Sequence, residues 1–321
     1  MTSPTGDGQN PADTILGIDI GGTKTALMAT ARATGRRVAT ARIDTPREAG
    51  PGAFVGVLRS VSNAMLAGAG LDPRSVRAVG CAVPGPVDAH GLVIRAGNLG
   101  GWDHVPLQAL LEQEWRAPAF VEQDANAGAL GEMWQGVARV MNDFVFLALG
   151  TGVGAGIVLG KHLHRGAHHA AGEVGNLAIG PGAPGHGPRD EHNLAARIGS
   201  RALRARAREA TGQNVRAADA AAGASADPRL AGIGRDAAGD LAVAVIAIAS
   251  LLDPEAIVFG GGTAAAGEAL LARVRECVKG ELWVEPVLVL AELGEEAQLY
   301  GAIAGALARL DPDFRPSPGS R

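Results

Sequence analysis

Cysteine is nearly absent: Cys81 and Cys277 are the only two, far apart and in no metal-ligand spacing. That excludes a disulfide scaffold and fits a reducing, cytoplasmic setting. Aromatic residues make up 3% of the 321 positions, so the 47% that are hydrophobic must build their cores from Ala, Val, Leu and Ile. Long apolar runs are missing too. The longest, LAVAVIAIASLL at 241–252, is too short for a bilayer and reads as a buried helix. Neither sign of charge dominates, and a net charge of −4 gives no general argument for nucleic acid or an anionic membrane as partner. The opening MTSPTGDGQNPAD lacks the basic and apolar regions of a signal peptide and reads, over 1–13, as a disordered lead-in. Residues 311–321 read as a tail.

Glycine is abundant. The 47 glycines show no three-residue period and sit among apolar runs, which excludes collagen-like and disordered readings. They mark turns and close backbone approaches instead. TILGIDIGGTKTALMATA predicts a strand, a glycine turn and a second strand, and RRVATARIDT a third. Strands and helices then alternate as far as PAFVE. A second hairpin follows in DFVFLALGTGVGAGIVLGKHLHRG, and helices dominate from 193 to 252 with a weak, Ala-rich middle. EAIVFGGGTAAAGEALLARVREC predicts a strand, a triple-glycine turn and a helix. The mixture is α/β, in two halves that each begin with a glycine-turn hairpin.

Three glycine clusters follow strands: Gly21-Gly22-Thr23-Lys24, the run from Gly150 through Thr151 and Gly152 to Gly156, and Gly260-Gly261-Gly262-Thr263. Glycine lets backbone amides approach phosphate oxygens with no Cβ in the way. The second cluster contains the dinucleotide fingerprint, but a strand-like IVLG follows where a helix is required, so a Rossmann reading is poor. No Walker A sequence is present. Any one such loop is as well read as an ordinary tight hairpin. Their company shifts the balance. Asp19 stands just before the first, where a carboxylate can hold Mg²⁺ directly or through water. Together the loops suggest a nucleotide site.

FVEQDANAGAL, at 120–130, poses a separate choice: Asp124 is either a cap on an Ala-rich helix or a group that does chemistry. Taken in order along the chain, GIDIGGTKTAL, PGPVD, AGNLGGW, VEQDANAGALGE, LGTGVGAGIVLGKHLHRG, AAGEVGN with DEH, and LLDPEAIVFGGG resemble the ROK sugar kinases, glucokinase-like members of the hexokinase and actin-like ATPase superfamily. That resemblance implies a two-domain actin-like (ribonuclease H-like) fold around a central cleft. The small domain would take 14–122 plus 297–310 and the large one 123–296. It implies ATP and Mg²⁺ as cofactors, carbohydrate metabolism in the cytoplasm, and a homodimer. By the same resemblance Asp124 is the general base, Asp19 organises Mg²⁺, and Gly22, Thr23, Lys24, Thr151 and Gly152 contact phosphates. Gly260, Gly261 and Gly262 approach the adenosine, while Asn98, Gln123, Glu173, Asn176 and Glu191 face the sugar. Asn98 is also read as a turn residue, and Glu191 as the carboxylate at the start of the following helix. The four tryptophans are read as packing residues.

The chain departs from the family pattern at three places. Gln123 replaces the Asn before the catalytic aspartate, and Asn176 replaces the His of Glu-x-Gly-His. Gly182, Pro184 and Arg189 stand where the family has cysteines. None of the four usual zinc ligands remains, so no structural zinc is expected. Six of the eight histidines (162, 164, 168, 169, 186 and 192) gather in this segment. They leave a replacement metal site open beside a reading in which the loop is held by hydrogen bonds and prolines.

The leading expectation is ATP-dependent phosphorylation of a hexose at its primary hydroxyl, glucose by default. The changes at Gln123 and Asn176 keep a modified acceptor in view: an amino sugar, fructose, mannose or a cyclitol. Polyphosphate remains an alternative donor. The family also includes repressors with an N-terminal helix-turn-helix; a first strand near residue 14 leaves no room for one, so a regulator is the weaker expectation, as is a non-catalytic sugar sensor.

Overall fold

A computed structural model of the protein describes residues 13–97, 99–179, 192–223 and 227–315. Contacts within the chain divide it into two units. One is drawn from Met1–Asp124 and Leu299–Pro316, the other from Ala125–Gln298.

The first unit is built on β1 (Thr14–Ile20), β2 (Lys24–Ala31), β3 (Arg37–Asp44), β4 (Val76–Val83) and β7 (Ala119–Gln123). Their order in the sheet is β3-β2-β1-β4-β7. β1, β2 and β3 are antiparallel neighbours, and β1, β4 and β7 run parallel. β1 is central, and all of it except Asp19 is buried, which is why TILGIDI reads as a near-continuous apolar run. β3 lies at an edge and is exposed or half-buried throughout. Two short strands, β5 (Val93–Arg95) and β6 (Asp103–Val105), pair with each other in the long connection.

Helix α1 (Pro51–Gly68) starts with proline in its first turn, where the missing N–H costs nothing. It buries Phe54, Val55, Leu58, Ser62 and Leu66, a stripe of helical period. Phe54 meets Trp102 edge to face, with ring centroids 5.4 Å apart. Helix α2 (Leu107–Trp115) adds Leu107, Leu111 and Trp115. On the sheet's other face, α9 (Ala297–Leu310) approaches closely because the strands carry glycine beneath it. A Cβ on Gly17 would lie 2.7 Å from Ile303, and one on Gly80 would run into the carbonyl of Ala302.

The second unit repeats the plan. β8 (Phe144–Leu149), β9 (Val153–Leu159), β10 (His162–His164), β11 (Ala256–Gly260) and β12 (Val287–Leu290) form a sheet of order β10-β9-β8-β11-β12. Helix α3 (Asp124–Gln135) packs on it through small residues. Gly128 sits against the Phe146 ring, and a Cβ on Gly156 would lie 2.6 Å from the Ala129 methyl. The Ala and Gly content of DANAGALGE is thus a docking surface as well as a helix former. Helices α4 (Leu194–Ile198), α5 (Ser200–Thr211), α6 (Ala217–Ala222), α7 (Pro228–Leu252) and α8 (Glu268–Val278) complete the unit.

The apolar run at 241–252 belongs to α7, which Asp227 caps by accepting from the Arg229 N–H. No helix among the described residues is long and apolar enough to cross a membrane. The helix expected directly after the triple glycine starts only at Glu268. A single 3-10 turn (Ala264–Ala266) comes first, and Gly267, at φ 67°, separates it from α8. Trp102 and Trp115 are buried as a packing reading requires, whereas Trp283 is fully exposed.

Candidate functional site

In the first unit the parallel strands β1, β4 and β7 end on one side of the sheet. Asp19 pairs with Ala82, which pairs in turn with Glu122, so one row crosses these three strand ends. Asp19 is half-buried. Beyond it the chain turns back at once: the Gly21 N–H donates to the Lys24 carbonyl at 3.0 Å. A second contact braces this turn from behind. The Thr45 N–H donates to the Thr23 carbonyl at 2.9 Å, and the Thr45 hydroxyl donates to the Gly21 carbonyl at 2.7 Å. The buried Thr25 and Thr45 hydroxyls lie 3.0 Å apart. Thr23 and Lys24 are left exposed, and the Lys24–Asp44 ion pair at 3.5 Å is open to solvent and weakly binding.

At the other end of the row, Gln123 closes β7 with its side chain buried. Glu122 curls over to accept the Gln123 N–H at 3.0 Å. Asp124 follows as the first residue of α3, half-buried, in the turn where the helix dipole favours a carboxylate. The cap-like position and a chemical role are therefore compatible. Cys81, also on β4, is inert: burial first, and the Asp19 charge second, push its thiol far above the usual range.

In the second unit the β8–β9 turn closes by a 3.0 Å bond from the Gly150 N–H to the Gly152 carbonyl. Two neighbours hold it. The first residue of α5, Ser200, donates its N–H to the Gly150 carbonyl at 2.8 Å, and the Thr263 N–H donates to the Leu149 carbonyl at 2.9 Å. Thr151 and Gly152 are thereby brought beside Gly260, Gly261 and Gly262, at the ends of the adjacent parallel strands β8 and β11.

These glycines serve different ends. A Cβ on Gly260 would collide with the Phe146 ring, and Gly261 has φ 85° and lies against the Leu149 carbonyl. Gly152 and Gly262 meet nothing within 4 Å. Theirs is the open, side-chain-free backbone that a phosphate or a ribose needs, so the residues present fit a nucleotide.

Glu173 sits in a segment laid on β9 by its flanking glycines. A Cβ on Gly172 would enter the Ala155 carbonyl and one on Gly175 the Val153 carbonyl, while the Ala155 N–H donates to the Gly172 carbonyl at 2.7 Å. Glu173 is half-buried and Asn176, at the end of the following 3-10 turn, is exposed. His162, His164 and His168 are exposed, and His169 and His192 half-buried. Among the described residues no three His, Cys, Asp or Glu side chains gather in a way that could hold a metal ion. Asn98, Gly182, Pro184, His186, Arg189 and Glu191 lie outside the described residues.

The sequence reading missed the supports: Thr45 under the first turn and Ser200 under the second. Neither carries a local signal, since each acts on a loop some twenty to fifty residues away in sequence.

The model of the ROK family matches residues 15–309. The chain belongs to the ROK family. Its fold is the actin-like ATPase fold, ribonuclease H-like in each sheet, as in solved ROK kinases. The ROK glucokinase of Streptomyces griseus, solved in complex with glucose and AMPPNP, superposes with a TM-score of 0.77 at 31% identity, covering 90% of this chain and 98% of that one. A glucokinase of Halalkalibacterium halodurans is 30% identical over 278 residues, 81% of this chain and 84% of its own. The xylose repressor of Caldicellulosiruptor bescii is 41% identical, but over 108 residues, 33% of this chain and 27% of the repressor. This ROK protein thus has both kinases and regulators among its relatives, and it spans only about a quarter of the repressor it matches.

Proposed function

We propose that this ROK protein is a kinase that transfers the γ-phosphoryl group of ATP to the primary hydroxyl of a hexose, with glucose as the default acceptor. The observation that carries this reading is Asp124: a half-buried carboxylate at a strand-to-helix junction, two residues beyond the row of strand ends, Asp19–Ala82–Glu122, that leads into the Gly21–Lys24 turn. In the reaction Asp124 takes the proton of the sugar hydroxyl as its oxygen bonds to the γ-phosphorus. The bond from that phosphorus to the β–γ bridging oxygen breaks, and ADP leaves. At the first turn of α3 the helix dipole favours a carboxylate, which suits this role.

Gly22, Thr23, Lys24, Thr151 and Gly152 would receive the phosphates, and the open backbone at Gly262, with Gly260 and Gly261 behind it, would receive the adenosine. Asp19 would hold Mg²⁺ directly or through water; the ion supplies neutralisation of the phosphate charge. Gln123, Glu173, Asn176, Asn98 and Glu191 would meet the sugar.

A modified acceptor, such as an amino sugar, fructose, mannose or a cyclitol, is the second reading. It is favoured by Gln123, whose buried amide is one methylene longer than the family's Asn and so meets a hydroxyl placed elsewhere. A coupled ADP-release assay across hexoses, amino sugars and cyclitols separates the two. Turnover highest on glucose supports the first, turnover highest on another acceptor the second, and none on any acceptor moves the protein to the sensors and regulators.

A further inference from the structure

Glu132 is the one carboxylate on α3 besides Asp124, and none of it is exposed. Its oxygens accept three backbone N–H groups: Val137 at 2.9 Å, Leu293 at 2.9 Å and Glu292 at 3.2 Å. Room for this is built in, because a Cβ on Gly136 would collide with Glu132 Oε2. Burial pushes the Glu132 carboxyl above its usual range, with the three N–H donors pulling the other way and the Glu292 charge adding to the rise.

What Glu132 grips matters more than how firmly. The chain passes between the two units at 124/125, at the head of α3, and again at 298/299, at the root of α9. Glu132 lies in the helix that starts at the first passage, and its partners at 292 and 293 lie just before the second. On the side of the second unit, a single buried carboxylate therefore ties both passages together. Its distance from Asp124 is eight residues, about 12 Å of rigid helix. The helix between them is closely packed: a Cβ on Gly128 would run into the Phe146 ring of β8, and one on Gly156 of β9 would run into the Ala125 carbonyl and the Ala129 methyl.

We infer that Glu132 is a positioning residue: by fixing α3 to the 292–293 segment it sets where Asp124 stands. The inference rests on the reading of Asp124 as the base. It predicts that a change at Glu132 is felt at the head of α3.

The test is Glu132→Gln, which keeps the shape but turns an amide NH₂ toward N–H donors. With glucose and ATP, kcat per folded molecule should fall tenfold or more while both KM values stay within threefold. Amide hydrogen exchange at 292 and 293, and also at 127–129, should quicken several-fold. Leu270→Ala, a buried change in α8, is the destabilised comparison and should lower Tm without that loss of kcat. Wild-type kcat in Glu132→Gln, or an equal loss in Leu270→Ala, overturns the inference. Should the wild-type protein turn over no acceptor, the kinase reading fails by itself. Exchange then decides the rest: quickening at 127–129 upholds the coupling, and unchanged exchange there refutes it.

Discussion

Asp19 and the Gln123–Asp124 pair stand at the ends of β1 and β7 in the first sheet, whereas the strands in the same places of the second sheet, β8 and β12, end in Ala148-Leu149 and Leu290-Ala291. Both sheets have one strand order and both turn sharply after their first strand. Glycine and threonine stand in both turns, Gly21-Gly22-Thr23 and Gly150-Thr151-Gly152; what differs is the carboxylates Asp19 and Asp124, which those strand ends of the second sheet lack. A repeated fold supplies the platform, and in the proposed reaction the residues at its edge would divide the work. Acidic groups suit a metal ion and a hydroxyl proton, while side-chain-free backbone suits phosphate and ribose.

Removing the carboxylate that makes the first sheet distinct should have the largest effect. Asp124→Ala is expected to lower kcat by about 10²–10⁴ with sugar binding still measurable by calorimetry, in line with the loss of a general base. Full activity in this variant would sink the assignment. Making the second sheet resemble the first comes next. Ala148→Asp puts a carboxylate where β1 has Asp19, beside the turn proposed to hold phosphates, and like charges should raise the KM for ATP roughly tenfold. An unchanged KM would mean that the phosphates lie elsewhere.

The glycines of the second sheet should separate by role. Gly261→Ala forces a side chain to φ 85° against the Leu149 carbonyl and should cost about 1–3 kcal/mol, read as a lower Tm. Gly262→Ala enters open space, so its Tm should hold while the KM for ATP rises a few-fold. The reverse pattern would refute the division. The smallest contrast is between the two thiols. Exposed Cys277 should react with an alkylating reagent at pH 8, and Cys81, buried and pushed up beside Asp19, should not react until the protein unfolds.

Much of this was legible in the sequence. β1 and β2, and β8 and β9, declared themselves as hairpins by their apolar runs around glycine turns; that β1 lies buried at the centre of its sheet came from the structure. The strand-to-helix junction at Asp124 was readable from an acidic residue followed by Ala and Gly. The missing parts share one cause: they join residues distant in the chain. Thr45 under Gly21, Ser200 on Gly150 and Glu132 under Leu293 are contacts with no local pattern to announce them. The late start of α8 hid in Gly267, because whether a glycine turns the chain or sits within a helix depends on the packing around it.

The most direct measurement is identification of the product by NMR and mass spectrometry after incubating wild-type protein, and Asp124→Ala in parallel, with ATP, Mg²⁺ and the acceptor most active in the ADP-release panel. The wild type should yield one sugar phosphate, esterified at the primary hydroxyl, and the variant none. ATP consumption without a sugar phosphate, or the same product from both proteins, would contradict the proposed function.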